Sequence, residues 1–223
     1  MAGLNGHDFT GIFDGNGKKL TFATTAAADY AAPFRYVQGT SAEAHAVIRD
    51  LNVVSTVSGE DHRHLAGLIA LQSGYVDVTG CNAEVNISST AGASNPNDLY
   101  PAALVSQASS TENGTLTVSG CTTSGVIATD GKYASGMVGV VQGKADIEDC
   151  LSSVTIKSSR AGDGTHGGFV GVQANTSGNV INIRGCVFNG KLLSVGETPT
   201  TNCGGFIGWR QKTAAIYNSL YIS

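Results

Sequence analysis

The stretch GGFVGVQANTSGNVINIRGC, Gly167 to Cys186, decides the fold. It opens with small and apolar residues, passes through a polar turn, alternates apolar and polar over Val180 to Arg184, and closes on a cysteine. The same succession recurs on both sides. The small-apolar runs are AGLIAL (Ala66 to Leu71), AALVSQ (Ala102 to Gln107), SGMVGV (Ser135 to Val140), GGFVGV (Gly167 to Val172) and GGFIGW (Gly204 to Trp209), and the residues that close the units are Cys81, Cys121, Cys150, Cys186 and Ser219. A unit of this length, rich in glycine and β-branched residues, cannot bury its own apolar face. Neighbouring units must stack, and the expected architecture is a solenoid.

Period-two alternation precedes each closing residue: Val76 and Val78, Leu116 and Val118, Ala145 and Ile147, Ile181 and Ile183, Ala214 and Ile216. Such alternation marks a strand with one buried face. The last apolar residue stands three positions before the cysteine. In one continuous strand an odd offset puts the two on opposite faces, so the chain must bend between them. The intervening pairs Thr79-Gly80, Ser119-Gly120, Glu148-Asp149, Arg184-Gly185 and Tyr217-Asn218 are rich in residues that tolerate corners. Ile48 and Leu51 repeat the offset, and Pro33-Phe34 is a degenerate copy of the small-apolar run. About six rungs result, a rod of about 25 to 30 Å at the usual strand spacing.

From Gly67, Ala103, Gly136, Gly168 and Gly205 to the closing residues the spacings are 14, 18, 14, 18 and 14 residues. Four residues beyond the cysteines, Val85 and Val154 alternate with Gly125 and Gly190. Both features point to a period of two rungs. The extra residues of the long units, within Ser109 to Gly114 and Asn175 to Asn179, are expected to form turns on one side.

One domain over residues 1–223 is expected, with residues 1–57 as an atypical N-terminal capping rung and 58–223 as repeats. Hydrophobic content of 41% against 13% charged residues fits an ordered interior. A net charge of −4 without clustered Lys or Arg gives no footprint for nucleic acid. No run approaches the roughly 20 apolar residues of a membrane-spanning helix, so no membrane insertion is expected. MAGLNGHDF has no signal-peptide character, and the closing AAIYNSLYIS reads as a further rung. Together they suggest part of a larger chain.

Candidate chemistry is sparse. His62-Arg63-His64, with Glu60 and Asp61 before it, is the densest titratable group, but it lacks a placed third metal ligand and reads as a solvated loop before Leu65. His7, His45 and His166 are isolated and read as surface or loop residues. The acidic residues Asp14, Asp50, Asp77, Glu84, Asp146, Glu148 and Asp149 are scattered. Only Asp77 and Asp146 align, each one before the repeated apolar residue and so facing outward. The cysteines read foremost as small apolar packers in a column, with Cys203 outside it; inter-rung disulfides and zinc fit a column less well. Phe169, Phe188 and Phe206 read as core. Tyr30, Tyr36, Tyr75, Tyr100, Tyr133, Tyr217 and Trp209 are candidates for exposed sugar platforms. The sequons at Asn86, Asn113 and Asn175 arise easily in a Ser/Thr/Asn-rich chain. No catalytic, cofactor or metal site is assigned.

GGFVG and GGFIG, each within a unit carrying an I-x-x-C step or its equivalent (Ile147 to Cys150, Ile183 to Cys186), resemble the GLUG motif of bacterial surface and secreted proteins. FTGIFDGNGKKL (Phe9 to Leu20) is similar to segments that open such arrays and to first turns of pectin-lyase-like β-helices. The resemblance spans Phe9 to the end, although Ala66–Ala70 and Ala102–Ser106 lose the second glycine. It implies a right-handed parallel β-helix in a secreted or cell-surface bacterial protein. The implied role is a non-enzymatic adhesion, carbohydrate-binding or spacer module, with glycans or host surface proteins as partners. The alternative it implies is a fragment of a pectin-lyase-like carbohydrate-active enzyme.

Overall fold

The computed structural model describes residues 1–92, 98–109, 114–160, 165–194 and 203–222. Strands β1 to β23 follow in chain order, and the described residues contain no α-helix. Three parallel sheets run the length of the molecule. The first stacks β1 (Ile12–Asp14), β5 (Ala46–Arg49), β9 (Val76–Thr79), β12 (Thr115–Ser119), β15 (Lys144–Glu148), β18 (Val180–Arg184) and β22 (Thr213–Tyr217). The second stacks β2 (Lys19–Thr25), β6 (Asn52–Glu60), β10 (Asn82–Thr90), β13 (Thr122–Thr129), β16 (Leu151–Ser158), β19 (Val187–Phe188) and β23 (Leu220–Tyr221), with β20 (Lys191–Leu193) also on β16. The third stacks β4 (Phe34–Gly39), β8 (Ile69–Gly74), β11 (Val105–Ser109), β14 (Val138–Val141), β17 (Val170–Gln173) and β21 (Ile207–Trp209). A small pair joins β3 (Tyr30–Ala31) to β7 (His64–Leu65). The expected parallel β-solenoid of about six turns is the fold of this chain.

Unbroken register turns the alternation into columns. Ile48, Val78, Val118, Ile147 and Ile183 stack inward on the first sheet and are fully buried. Val57, Ile87, Ile127 and Ile156 do the same on the second, and Ile69, Val105, Val138 and Val170 on the third. Each such side chain contributes about 1.5–3 kcal/mol by leaving water.

The corner expected between the first two sheets is a single left-handed residue. Asp50, Gly80, Gly120, Asp149, Gly185 and Asn218 all have positive φ, between 48° and 64°. Only Gly, Asn and Asp adopt that conformation routinely. The corner turns the following residue inward, and so Cys81, Cys121, Cys150 and Cys186 form the predicted buried column.

These thiols do more than pack. The Cys81 N–H donates to Cys121 Sγ and the Cys121 N–H to Cys150 Sγ, both at 3.4 Å. The single Cys121 S–H has two acceptors in reach, the carbonyls of Val78 and Ser119, both 3.4 Å from Sγ. Ser219, the stand-in at the last rung, accepts from the Cys186 N–H at 3.1 Å and donates to the Tyr217 carbonyl at 2.9 Å. The column therefore satisfies backbone groups that the corner withdraws from the ladder. Cys81, Cys121, Cys150 and Cys186 are free thiols. Hydrogen bonding with the sulfurs of Cys150 and Cys81, together with burial, holds the Cys121 thiol far above its ordinary pKa.

The two-rung phase also has a steric basis. Gly125 has φ of 103°, and a Cβ there would overlap the Val85 carbonyl oxygen; a Cβ on Gly190 would overlap that of Val154. A long unit thus presses its backbone onto the valine of the short unit before it. The Asn175 to Asn179 segment is a turn, with Asn179 Nδ2 donating to the Val141 and Ala174 carbonyls at 2.8 Å. Its counterpart lies largely outside the described residues, at 110–113.

The second glycine of the small-apolar run sits against the backbone of the rung before it. A Cβ on Gly139 would meet the carbonyl oxygens of Ser106 and Tyr100. Ser106 occupies the equivalent position one rung earlier and donates its hydroxyl to the Tyr100 carbonyl of its own rung at 2.6 Å. Loss of this glycine in the early rungs is accommodated locally.

Candidate functional site

The outer face of the first sheet carries an ordered polar array. Position Val47 continues through Asp77, Thr117, Asp146 and Asn182, one residue per rung. The alignment of Asp77 with Asp146 expected from the sequence is thus found, with Thr117 between them. Two rungs separate their backbones by about 9.6 Å.

Each carboxylate is held by a neighbour. Asp77 Oδ2 lies 2.8 Å from His45 Nδ1, and Asp146 Oδ1 accepts from Asn182 Nδ2 at 2.7 Å. His45 stacks on Tyr75, ring centroids 5.3 Å apart. The flanking outward column holds the ion pairs Arg49–Asp14 at 2.8 Å and Arg184–Glu148 at 2.7 Å. Hydrogen bonds from the Asn16 N–H and the Arg49 guanidinium hold the Asp14 carboxyl below its usual pKa. Along the second sheet, Asn82 Nδ2 donates to Asn52 Oδ1 at 2.6 Å and the Thr122 hydroxyl donates to Asn82 Oδ1. The outer faces therefore offer short, rigid rows of hydroxyl, amide and carboxylate groups.

The histidine cluster does not act as a unit. His62 lies near Asp29, 3.9 Å away, but His64 is not in a solvated loop: it opens β7 and is buried. Its ring stacks between Tyr30, at 4.6 Å, and Tyr100, at 5.4 Å, and its Nδ1 lies 3.2 Å from Ser106 Oγ. Burial, with Arg63 nearby, pushes its pKa down to about 3. His166 corrects the surface reading as well. It is fully buried, accepts the Ala134 N–H on Nδ1 at 3.1 Å, and burial pushes its pKa down to about 4. Both imidazoles are neutral at neutral pH because each is shut off from solvent, His64 between the rings of Tyr30 and Tyr100 and His166 against the backbone of Ala134. His7 is exposed. Among the described residues no group of three His, Cys, Asp or Glu is placed to hold a metal ion.

Ser58 to Glu60, Ser88 to Thr90 and Ser158 belong to strands, and the connections at 161–164 and 195–202, with 93–97, lie outside the described residues. Asn86 and Asn175 are exposed, and Asn113 is outside the described residues.

The aromatic platforms are also revised. Tyr30, His64, Tyr100 and Tyr133 form one face-to-face stack along the rod, the last pair 5.7 Å apart at 7°. Their faces cover one another and present edges outward. Burial raises the Tyr100 hydroxyl to about 12, so it stays neutral. Lys132 Nζ lies over both Tyr133, at 5.7 Å, and Trp209, at 4.9 Å. Tyr36 is buried. Phe169 and Phe188 are in the core, and Phe206 stacks on Phe169 at 5.6 Å. The stack had a legible signal: His64, Tyr100 and Tyr133 each stand two residues before a small-apolar run. The His45–Asp77 contact had none, since it joins residues 32 apart across rungs.

No protein-family model matches the chain, and no curated protein matches it. No helix among the described residues is long and apolar enough to cross a membrane.

Proposed function

We propose that this chain is a non-enzymatic module of a secreted or cell-surface bacterial protein that binds an extended glycan along the outer face of its first sheet. The observation that carries the reading is the column Asp77, Thr117, Asp146 and Asn182, with His45 beside it. Hydrogen-bonding groups repeated at a fixed rung spacing suit a ligand that is itself a repeat. His45 and Asn182 each engage one oxygen of an aspartate, which orients the carboxylate and leaves its second oxygen to accept from a sugar hydroxyl. Adhesion and carbohydrate binding are one activity in this reading, and the rod supplies the spacing.

A second reading rests on the same pair. Two carboxylates about 9.6 Å apart at the backbone lie close to the separation of about 6.5–9.5 Å between carboxyl groups in inverting glycoside hydrolases. Affinity electrophoresis against a panel of neutral and acidic polysaccharides, with released reducing ends measured in parallel, separates the two. Binding without released ends, weakened in Asp77→Asn and Asp146→Asn, supports the module. Released ends lost in those variants support the enzyme fragment, and neither effect on any polysaccharide leaves the spacer role alone.

A further inference from the structure

Two shallow hollows meet on the flank of the rod, where the first sheet turns into the second. One, of about 430 Å³, lies over the corner, with Asp50, Gly80, Asn52 and Asn82 in its lining. The other, of about 270 Å³, lies over the outer face of the second sheet, with Lys19, Val54, Glu84 and Thr122 beside the same two asparagines. Sharing Asn52 and Asn82, they form one trough in the size range of ligand sites, about 300–1,000 Å³. Gly80 leaves bare backbone in its corner part, at the position that Asp50, Asp149 and Asn218 fill in other rungs.

The trough is floored by an ordered amide ladder. Lys19, Asn52, Asn82 and Thr122 share one outward column. The Thr122 hydroxyl donates to Asn82 Oδ1, Asn82 Nδ2 to Asn52 Oδ1 at 2.6 Å, and Asn52 Nδ2 to the Gly17 carbonyl at 2.8 Å. A carboxamide has two N–H donors and two acceptor lone pairs. The ladder uses one of each on both asparagines and leaves one of each, already oriented, for a ligand. Side chains fixed in advance lose little freedom on binding. Val54, the next outward residue on the Asn52 strand, adds an apolar patch. Lys19 and Glu84 are opposite in sign and Asp14 is paired with Arg49, which leaves Asp50 as the unbalanced charge.

We infer that this trough binds a neutral glycan segment, as a second site that shares only its ligand class with the first-sheet column. Sugar hydroxyls donate and accept at once, which matches the paired valences left on Asn52 and Asn82, and the C–H face of a sugar suits Val54. An acidic polymer meets Asp50 and Glu84. A peptide strand finds no ladder to join, since β6 and β10 are each paired on both sides. From Lys19 to Thr122 the column spans about 14 Å, three strand spacings, which gives room for a short run of sugars.

Two substitutions with precedents in the fold test this. Asn82→Leu puts into the ladder the residue that the same column carries at Leu151. Gly80→Asn fills the corner with a residue that a left-handed backbone admits and that Asn218 already supplies; its Cβ meets only the Asp50 side chain, 2.8 Å from Oδ1. Both are made in the wild-type chain and in an Asp77→Asn, Asp146→Asn background that silences the first-sheet column, with folds checked by circular dichroism. Affinity electrophoresis uses a β-glucan and a galactomannan as neutral probes and polygalacturonate as the acidic one. A neutral probe is expected to retard the background chain, with little change on added salt. Either trough substitution is expected to weaken that binding about tenfold, the order of two lost hydrogen bonds. Retardation that both substitutions leave unchanged overturns the inference, as does stronger retardation by polygalacturonate or none by a neutral probe. Wild-type retardation that vanishes in the background chain overturns it too, and leaves the first-sheet reading standing. Retardation lost on the trough substitutions and untouched by the aspartate ones keeps the trough and removes the first-sheet reading.

Discussion

Replacing Cys121 separates two accounts of the cysteine column. As an apolar packer, the thiol should be replaced better by alanine than by serine, because a buried hydroxyl costs more than a small void. In the structure Cys121 Sγ accepts the Cys81 N–H at 3.4 Å, and its one S–H lies between the Val78 and Ser119 carbonyls, each 3.4 Å away, in a fully buried setting. Cys121→Ala orphans that N–H, a loss of about 1–3 kcal/mol for an unsatisfied buried donor. The small cavity adds on the order of 1 kcal/mol. The expected cost is about 2–4 kcal/mol. Cys121→Ser keeps an acceptor and a donor in the geometry that Ser219 already uses at the last rung, and is expected to cost under about 1 kcal/mol, the order of one imperfect hydrogen bond. Urea unfolding of both variants, followed by far-ultraviolet circular dichroism with m-values compared to wild type, reads the difference. A serine variant as unstable as the alanine variant, or more so, refutes the hydrogen-bonding role.

Stability should fall with acid above the carboxylate range. His64 and His166 have folded pKa values pushed down to about 3 and about 4, against about 6.5 unfolded, so the unfolded chain binds more protons below pH 6.5. Their contribution is complete above pH 6.5 and shrinks on acidification; at pH 5 each should have lost about 2 kcal/mol relative to neutrality, measured as a lower urea midpoint and largely absent in His64→Phe with His166→Gln. Gly125→Ala should cost more than about 2 kcal/mol, since its Cβ overlaps the Val85 carbonyl at φ of 103°, whereas Gly178→Ala, with open space around it, should cost only about 1 kcal/mol for the left-handed backbone. Thermal melts compare the two directly. A thiol reagent should modify Cys203 in the native chain well before the other four, which are at most 2% exposed; equal rates would contradict the buried column.

The architecture was legible because the interior repeats. The alternation ending at Val78, Val118, Ile147 and Ile183, the three-residue step to a cysteine, and Gly, Asp or Asn just before it together specify strand, corner and strand. The outward alignment of Asp77 and Asp146 followed from the same frame. Contacts between rungs away from the repeat were not legible in that way. His45 reaches Asp77 from a loop that has no counterpart in other rungs, and His64 was hidden in a charged run, EDHRH, whose composition reads as solvated. Its burial comes from the stack with Tyr30 and Tyr100, partners separated from it by a full coil on either side. The thiols were located correctly as buried, but their hydrogen bonds depend on which backbone groups the corner leaves unpaired, and only the three-dimensional ladder shows that.

The central claim is that each repeat advances the chain by one rung in a single register. Arg49, Thr79, Ser119, Glu148, Arg184 and Tyr217 form one outward column, so Arg184 lies four rungs from Arg49 and Tyr217 five. Spin labels at Arg49→Cys with Arg184→Cys, and at Arg49→Cys with Tyr217→Cys, placed in a Cys203→Ser background, allow both spans to be measured by double electron–electron resonance. The predicted distances are narrow and centre near about 19 and 24 Å, differing by about one strand spacing. Broad distributions, or a difference far from about 5 Å although the two label sites are 33 positions apart in sequence, would contradict the register on which every column depends.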